Sequence, residues 1–203
     1  MFKLVIVDLM GILTKHENEY SILKKIINYK GTSQSLNAHL GDSYEKLISG
    51  KSHERFFWKS IEKNLKPKKK IANIKKEFMK SFSPIFSPKL LKKARQNFRF
   101  ALCSNFYYPW YAQIKKSKKI DFDFELISSK AKMKKDSKEM YLSAMLKFDM
   151  IPPECLVVSD EASDLKRAKE LGMSTLFIPG KSKDYADADY SYEKFDDFLK
   201  ILI

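Results

Sequence analysis

Polar side chains stand at or near the ends of short apolar runs in several places along this 203-residue chain. Asp8 closes Lys3-Leu-Val-Ile-Val, Ser104 and Asn105 close Arg99-Phe-Ala-Leu-Cys, and Asp160, followed by Asp164, closes Cys155-Leu-Val-Val-Ser. A fourth polar group is the set of lysines around Lys135. A carboxylate just past a buried strand is costly unless it is paired or bound to a metal. Three carboxylates and a lysine brought into one crevice can hold a divalent cation and an anion together. An all-oxygen donor set suits magnesium, which completes its octahedral shell with waters and substrate phosphate.

In a parallel sheet the carboxyl ends of the strands share one edge, so such distant residues converge there. The runs Lys3 to Leu9, Arg99 to Ser104, Phe122 to Ser128, Cys155 to Asp160 and Ser174 to Pro179 lack polar alternation, as strands buried on both faces do. Helical patterns over Pro88 to Asn97, Pro109 to Lys118, Ser137 to Phe148 and Ser163 to Leu171 alternate with them. That alternation predicts an α/β fold with a doubly wound parallel sheet and its ligand at the carboxyl ends of the strands. From about Thr14 to Phe86 the alternation stops. Helices are expected there over Asn18 to Tyr29, Ser35 to Ile48, His53 to Leu65 and Lys70 to Phe82, too long a departure for a crossover. The expected organisation is a core of residues 1–14 and 87–203 with an inserted helical subdomain of residues 15–86.

Composition removes several classes. Hydrophobic residues make up 44% of the chain, which supports a core and excludes native disorder. No apolar run is long enough to cross a bilayer, and Asp8 interrupts the first one, so no membrane association is expected. The two cysteines, Cys103 and Cys155, lie in apolar runs and read as small hydrophobes rather than a disulfide framework, which makes a cytoplasmic protein the expectation. The net charge of +14 attracts polyanions, yet only Arg55, Arg95, Arg99 and Arg167 are arginine among 39 basic residues. Without arginine forks to read bases, specific nucleic-acid binding is not expected.

The ordered motifs resemble the haloacid dehalogenase-like hydrolases. Asp8-Leu-Met-Gly11-Ile-Leu13 is similar to the first motif, Leu102-Cys-Ser104-Asn105 to the second and Lys135-Asp-Ser137 to the third. Cys155-Leu-Val-Val-Ser-Asp160-Glu-Ala-Ser-Asp164 resembles the fourth, and Gly50-Lys-Ser-His-Glu-Arg-Phe-Phe57-Trp58 a helix of the α-helical cap inserted after motif one. The resemblance implies a Rossmann-like core and a magnesium-dependent phosphohydrolase acting on a small phosphorylated metabolite. In that family Asp8 would attack the phosphoryl group and water would hydrolyse the aspartyl phosphate. Magnesium would be held by Asp8, the backbone carbonyl of Met10, Asp160 and Asp164. Ser104, Asn105 and Lys135 would contact the phosphoryl group, and Arg55 from the cap is a candidate anion contact.

Two positions depart from the pattern. The phosphatases carry a second aspartate two residues after the nucleophile as general acid and base, and here that residue is Met10. A thioether transfers no proton, so such a phosphatase is expected to be slow, selective for good leaving groups, or reliant on another group. Asp136 stands where a proline usually follows the motif-three lysine, which leaves Lys134 as an alternative to Lys135. Met10 also fits a carbon-halogen hydrolase, because halide leaves unprotonated, although Asp160 with Asp164 is then unexplained. A catalytically retired ligand-binding member is the third reading. His16, His39 and His53 lie in the helical region without ligand spacing and are expected to be surface or packing residues.

Overall fold

The computed structural model describes residues 2–15, 19–179 and 187–203. Its sheet contains β1 (Leu4–Val7), β2 (Arg99–Ser104), β3 (Phe124–Ile127), β4 (Cys155–Ser159), β5 (Ser174–Phe177) and β6 (Tyr190–Ser191). The order is β3-β2-β1-β4-β5-β6 and every pairing is parallel. The strands reach the sheet edge nearly level, with Val7 opposite both Leu102 and Val158. Sequence order reverses at β1, so the crevice between β1 and its two neighbours is the topological switch point where ligands of such sheets bind.

Alternation along β1 divides the interior. Val5 and Val7 join Phe100, Leu102 and Leu156 in one apolar layer, while Leu4 and Ile6 join Ala101, Cys103, Cys155 and Val157 in another. Both cysteines are buried free thiols, as their sequence setting implies.

Five helices follow β1: α1 (Glu19–Ile27), α2 (Ser33–Leu40), α3 (Ser43–Ile48), α4 (Glu54–Leu65) and α5 (Ile71–Ser81). Each carries a narrow apolar stripe, for example Phe57, Trp58 and Ile61 on α4 and Ile74 and Phe78 on α5. The lysine-dense stretch around α5 is therefore one solvated face of an amphipathic helix. The helix expected over Ser35 to Ile48 is two helices, because the chain turns at Gly41 with φ of 57°, a left-handed value that glycine adopts freely. The insert leaves and re-enters the sheet at one point, where Ile85 N–H donates to Leu13 O at 3.0 Å and Thr14 bridges Pro84.

After the insert come α6 (Pro88–Ala94), α7 (Tyr108–Lys118), the short α8 (Ser128–Ala131), α9 (Glu139–Lys147), α10 (Ala162–Glu170) and α11 (Phe195–Ile201). Ser87 caps α6 ahead of Pro88 at its first turn. The insert does not build a separate core: its buried side chains share one cluster with Phe106 and Trp110 of the β2-to-α7 region. Glu54 on α4 fixes that junction. Its Oε2 accepts hydrogen bonds at 2.9 Å from both Trp58 and Trp110 indole nitrogens, and its Oε1 pairs with Lys75 at 2.8 Å.

Candidate active site

The buried charged residues among those described are Asp8, Lys135, Asp160 and Asp164, and all four line the same end of the sheet. Asp8 follows β1 directly, its own N–H anchored to Val158 O at 3.1 Å. Asp160 follows β4, and Asp164 comes from the first turn of α10. They border a cleft of about 310 Å³ with Met10, Glu19, Ser104, Asn105, Asp136, Glu161, Ser163 and Arg167.

Asp8 accepts from Leu9 N–H at 2.6 Å through Oδ1 and from Lys135 Nζ at 2.5 Å through Oδ2. The same ammonium reaches Asp164 Oδ2 at 2.5 Å, and Asp164 is held further by Ser159 Oγ at 3.2 Å and Arg167 at 2.9 Å. Burial raises the Asp8 pKa, and the repulsion of Asp164 adds to that against the opposing attraction of Lys135. Burial works against the Lys135 charge, but Asp8 and Asp164 more than offset it and keep Lys135 firmly an ammonium.

Local backbone explains how these groups meet. Gly11 has φ of +75°, and a Cβ there would stand 1.9 Å from Asp160 Oδ2. Only a glycine lets the Asp160 carboxylate lie against the loop that follows Asp8. Asn105 Oδ1 accepts from the Lys135 backbone N–H at 2.9 Å, which ties the end of β2 to the loop presenting the lysine. Neither Ser104 nor Asn105 caps a helix, since α7 begins at Tyr108 with no side-chain cap.

The two lysines have different partners: Lys135 contacts Asp8, whereas Lys134 pairs with Glu45 of α3 at 2.9 Å. Arg55 is not brought into the cleft; it is exposed on α4 with its guanidinium 4.6 Å from the Phe56 ring centroid. Phe57 and Trp58 are core of the insert, whereas Phe56 is 52% exposed. His39 bonds to Ser35 O and Tyr29, and His53 caps α4, so neither approaches the site. His16 lies outside the described residues.

Three contributors were not apparent in the sequence. Ser159 and Arg167 orient Asp164, and the i,i+3 spacing of Arg167 from that acid on one helix face is the trace the second leaves in the sequence. Glu19, the first residue of α1, enters the cleft from the insert. No motif marks it.

The donor set is compatible with a hard divalent ion. Two or three carboxylates and a backbone carbonyl, with the remaining positions left to water and phosphate, are the ligands magnesium takes. Among the described residues no group of three or more His, Cys, Asp or Glu is gathered tightly enough to hold a metal by side chains alone. Lys135 occupies the space between Asp8 and Asp164, which leaves Asp8, Asp160 and the Met10 carbonyl as the group suited to the ion.

A family model for haloacid dehalogenase-like hydrolases matches residues 5–178. No curated protein sequence matches. Among solved structures, a family enzyme, bt-2542 of Bacteroides thetaiotaomicron in complex with magnesium and inorganic phosphate, is similar at 20% identity and a TM-score of 0.72, covering 92% of this chain and 98% of that one. The L-2-haloacid dehalogenase PA0810 is similar at 16% identity and a TM-score of 0.71 over the whole of both chains. That of Xanthobacter autotrophicus, with chloropropionic acid covalently bound, shares 13% identity at a TM-score of 0.68, with 100% of this chain and 98% of that one covered. Likenesses at such low identity speak for the fold, and it is the family model, spanning most of the sequence, that places the chain among the haloacid dehalogenase-like hydrolases.

Proposed function

We propose that this hydrolase is a magnesium-dependent phosphohydrolase of small phosphorylated molecules. The observation that carries the reading is the charge imbalance of the cleft, where three buried carboxylates face a single buried ammonium. Buried like charges repel strongly, and a site with that excess of negative charge favours a cation together with an anionic substrate. On the carbon-halogen reading the pair Asp160 and Asp164 is left without an assigned role.

In this mechanism an oxygen of Asp8 attacks phosphorus and the ester oxygen departs, leaving an acyl phosphate on Asp8 that water then cleaves. Lys135 favours the ionised form of Asp8 against the burial that raises its pKa, and neutralises charge on the transferring oxygens. Ser104, buried at the end of β2, donates a hydrogen bond to the phosphoryl group. Asn105 keeps the Lys135 loop in register. Asp8, Asp160 and the Met10 carbonyl would hold the magnesium ion, with Asp164 contributing through Lys135 or a water. The ion supplies charge neutralisation on the phosphoryl oxygens. Residues 15–86 form the cap over a core of residues 1–14 and 87–203, a partition supported by the Leu13 to Ile85 contact where the two connections pair.

The test is phosphate release from a set of phosphorylated metabolites with and without magnesium. Asp8→Asn should abolish turnover while leaving the circular dichroism spectrum intact. Asp160→Ala should remove the calorimetric signal of magnesium binding. Persistence of either activity or binding in its variant refutes the assignment. The carbon-halogen reading is favoured by one observation, Met10 in place of a proton donor, and predicts halide release from a 2-haloalkanoic acid in the presence of a chelator.

A further inference from the structure

We infer that Glu19 supplies the proton that Met10 cannot, acting as general acid and base for the reaction proposed above and resting on that reading. The cleft's buried carboxylates are committed: Lys135 binds Asp8 and Asp164, and Arg167 binds Asp164. Asp160 is pressed against Gly11. Glu19 differs in origin and in partners. It enters from α1 of the cap rather than from the sheet, as a group poised over the leaving side of a substrate held at Asp8 would. No lysine or arginine among the described residues pairs with it.

Its surroundings suit a carboxylic acid that carries a proton. Tyr20 and Tyr44 pack edge to face beside it, ring centroids 5.4 Å apart. Burial raises the Glu19 pKa, the Tyr44 hydroxyl opposes that rise as a donor, and the charges of Asp8 and Glu45 add to it. The Tyr44 bond is not well formed in this state, since its hydroxyl is buried without an aligned partner. Burial also holds both phenols neutral, Tyr20 being pushed up to about 12 and Tyr44 well above its ordinary value. A glutamic acid shifted toward neutrality is the form a general acid needs.

The proton balance closes over one turnover. As the Asp8 oxygen bonds to phosphorus and the ester P–O bond breaks, the departing oxygen takes the Glu19 proton and leaves as an alcohol. Glu19, now a carboxylate, accepts a proton from the water that cleaves the acyl phosphate. Asp8 returns as carboxylate, phosphate is released and Glu19 is again protonated.

The experiment compares Glu19→Gln with the wild type in magnesium, following single-turnover release from p-nitrophenyl phosphate and from glycerol 2-phosphate. An alkoxide needs protonation and a nitrophenolate scarcely does. Glu19→Gln should therefore slow alcohol release by about a hundredfold or more, the usual scale of acid catalysis, and phenolate release by at least tenfold less. Met10→Asp added to Glu19→Gln should recover at least tenfold on the alkyl ester. In the wild type, a series of aryl phosphates should show only a shallow dependence on leaving-group pKa. Equal slowing of both esters by Glu19→Gln, no slowing of either, or a steep wild-type dependence overturns the inference. Failure of the underlying reading shows elsewhere, as wild-type protein inert toward both esters or Asp8→Asn retaining both activities, and takes the inference with it.

Discussion

Lys135 is the residue on which the site's electrostatics turn. It is 6% exposed and reaches two carboxylates at once, and neither Asp8 nor Asp164 would tolerate the other without it. Replacing it by Met keeps the length of the side chain and removes the charge. Removing one partner of a buried ion pair costs about 3 to 5 kcal/mol, and although Asp164 keeps Arg167, Asp8 loses its ammonium, so Lys135→Met should lower the urea midpoint by that equivalent. Magnesium should restore stability to this variant more than it stabilises the wild type, because a cation relieves the same repulsion. Titration of the denaturation midpoint against magnesium measures it. An unaltered midpoint in Lys135→Met would mean that the site tolerates its own charge. The motif-three spacing points to Lys135 with Lys134 as the alternative, and it is Lys135 that contacts Asp8. Choosing between Lys134 and Lys135 required knowing that α3 places Glu45 beside the first.

At the scale of elements, one buried tie between insert and sheet is Ser128, at the start of α8. Its Oγ donates to Ile48 O of α3 at 2.6 Å and accepts from Phe106 N–H at 3.0 Å, all within the buried interior. Ser128→Ala strands both backbone groups, and each buried group left without a partner costs about 1 to 3 kcal/mol. Thermal denaturation of this variant should fall by several degrees, with the loss appearing as a single transition, since insert and sheet share one apolar cluster. The strands and most helices were legible because parallel strands buried on both faces read as unbroken apolar runs. Ile48, Phe106 and Ser128 are far apart in the chain, and nothing local to any of them announces the contact. The break at Gly41 was legible only in part: the glycine was visible, but Leu36, Leu40, Tyr44 and Leu47 keep helical spacing across it. β6, two residues long, and α11, near the chain end, fell below the length at which periodicity decides. Of the site, the strand-end carboxylates could be read because topology converts sequence order into proximity. Glu19 could not, since its position depends on how α1 settles over the cleft.

For the whole molecule, the charge surplus of +14 makes the few strong acid-base contacts matter at low pH. Arg95 binds Asp123 at 2.8 Å and Asp121 at 2.5 Å, bracing α6 against the approach to β3. Burial alone would raise the Asp123 pKa, but hydrogen bonds from Arg95 and from Phe100 N–H hold it below the ordinary aspartate value. A carboxyl depressed in the folded state contributes its stability in full above the unfolded value and loses it as pH falls through the folded one. Asp123→Asn should therefore cost about 1 to 2 kcal/mol near neutral pH, the value of charge-assisted bonds reduced for partial solvation. That difference from wild type should shrink as pH falls below the ordinary aspartate value and through the lower folded one, as urea melts at several pH values can show. The junction at Glu54 has an optical consequence. Trp58 and Trp110 are the only two tryptophans in the chain, and both donate to the same Glu54 oxygen, Trp58 from within α4 and Trp110 across the seam between insert and sheet. The tryptophan fluorescence of the unlabelled protein, excited at the red edge where tyrosine does not absorb, therefore originates at that seam, so a ligand that shifts the insert over the cleft would change this emission without any probe being added.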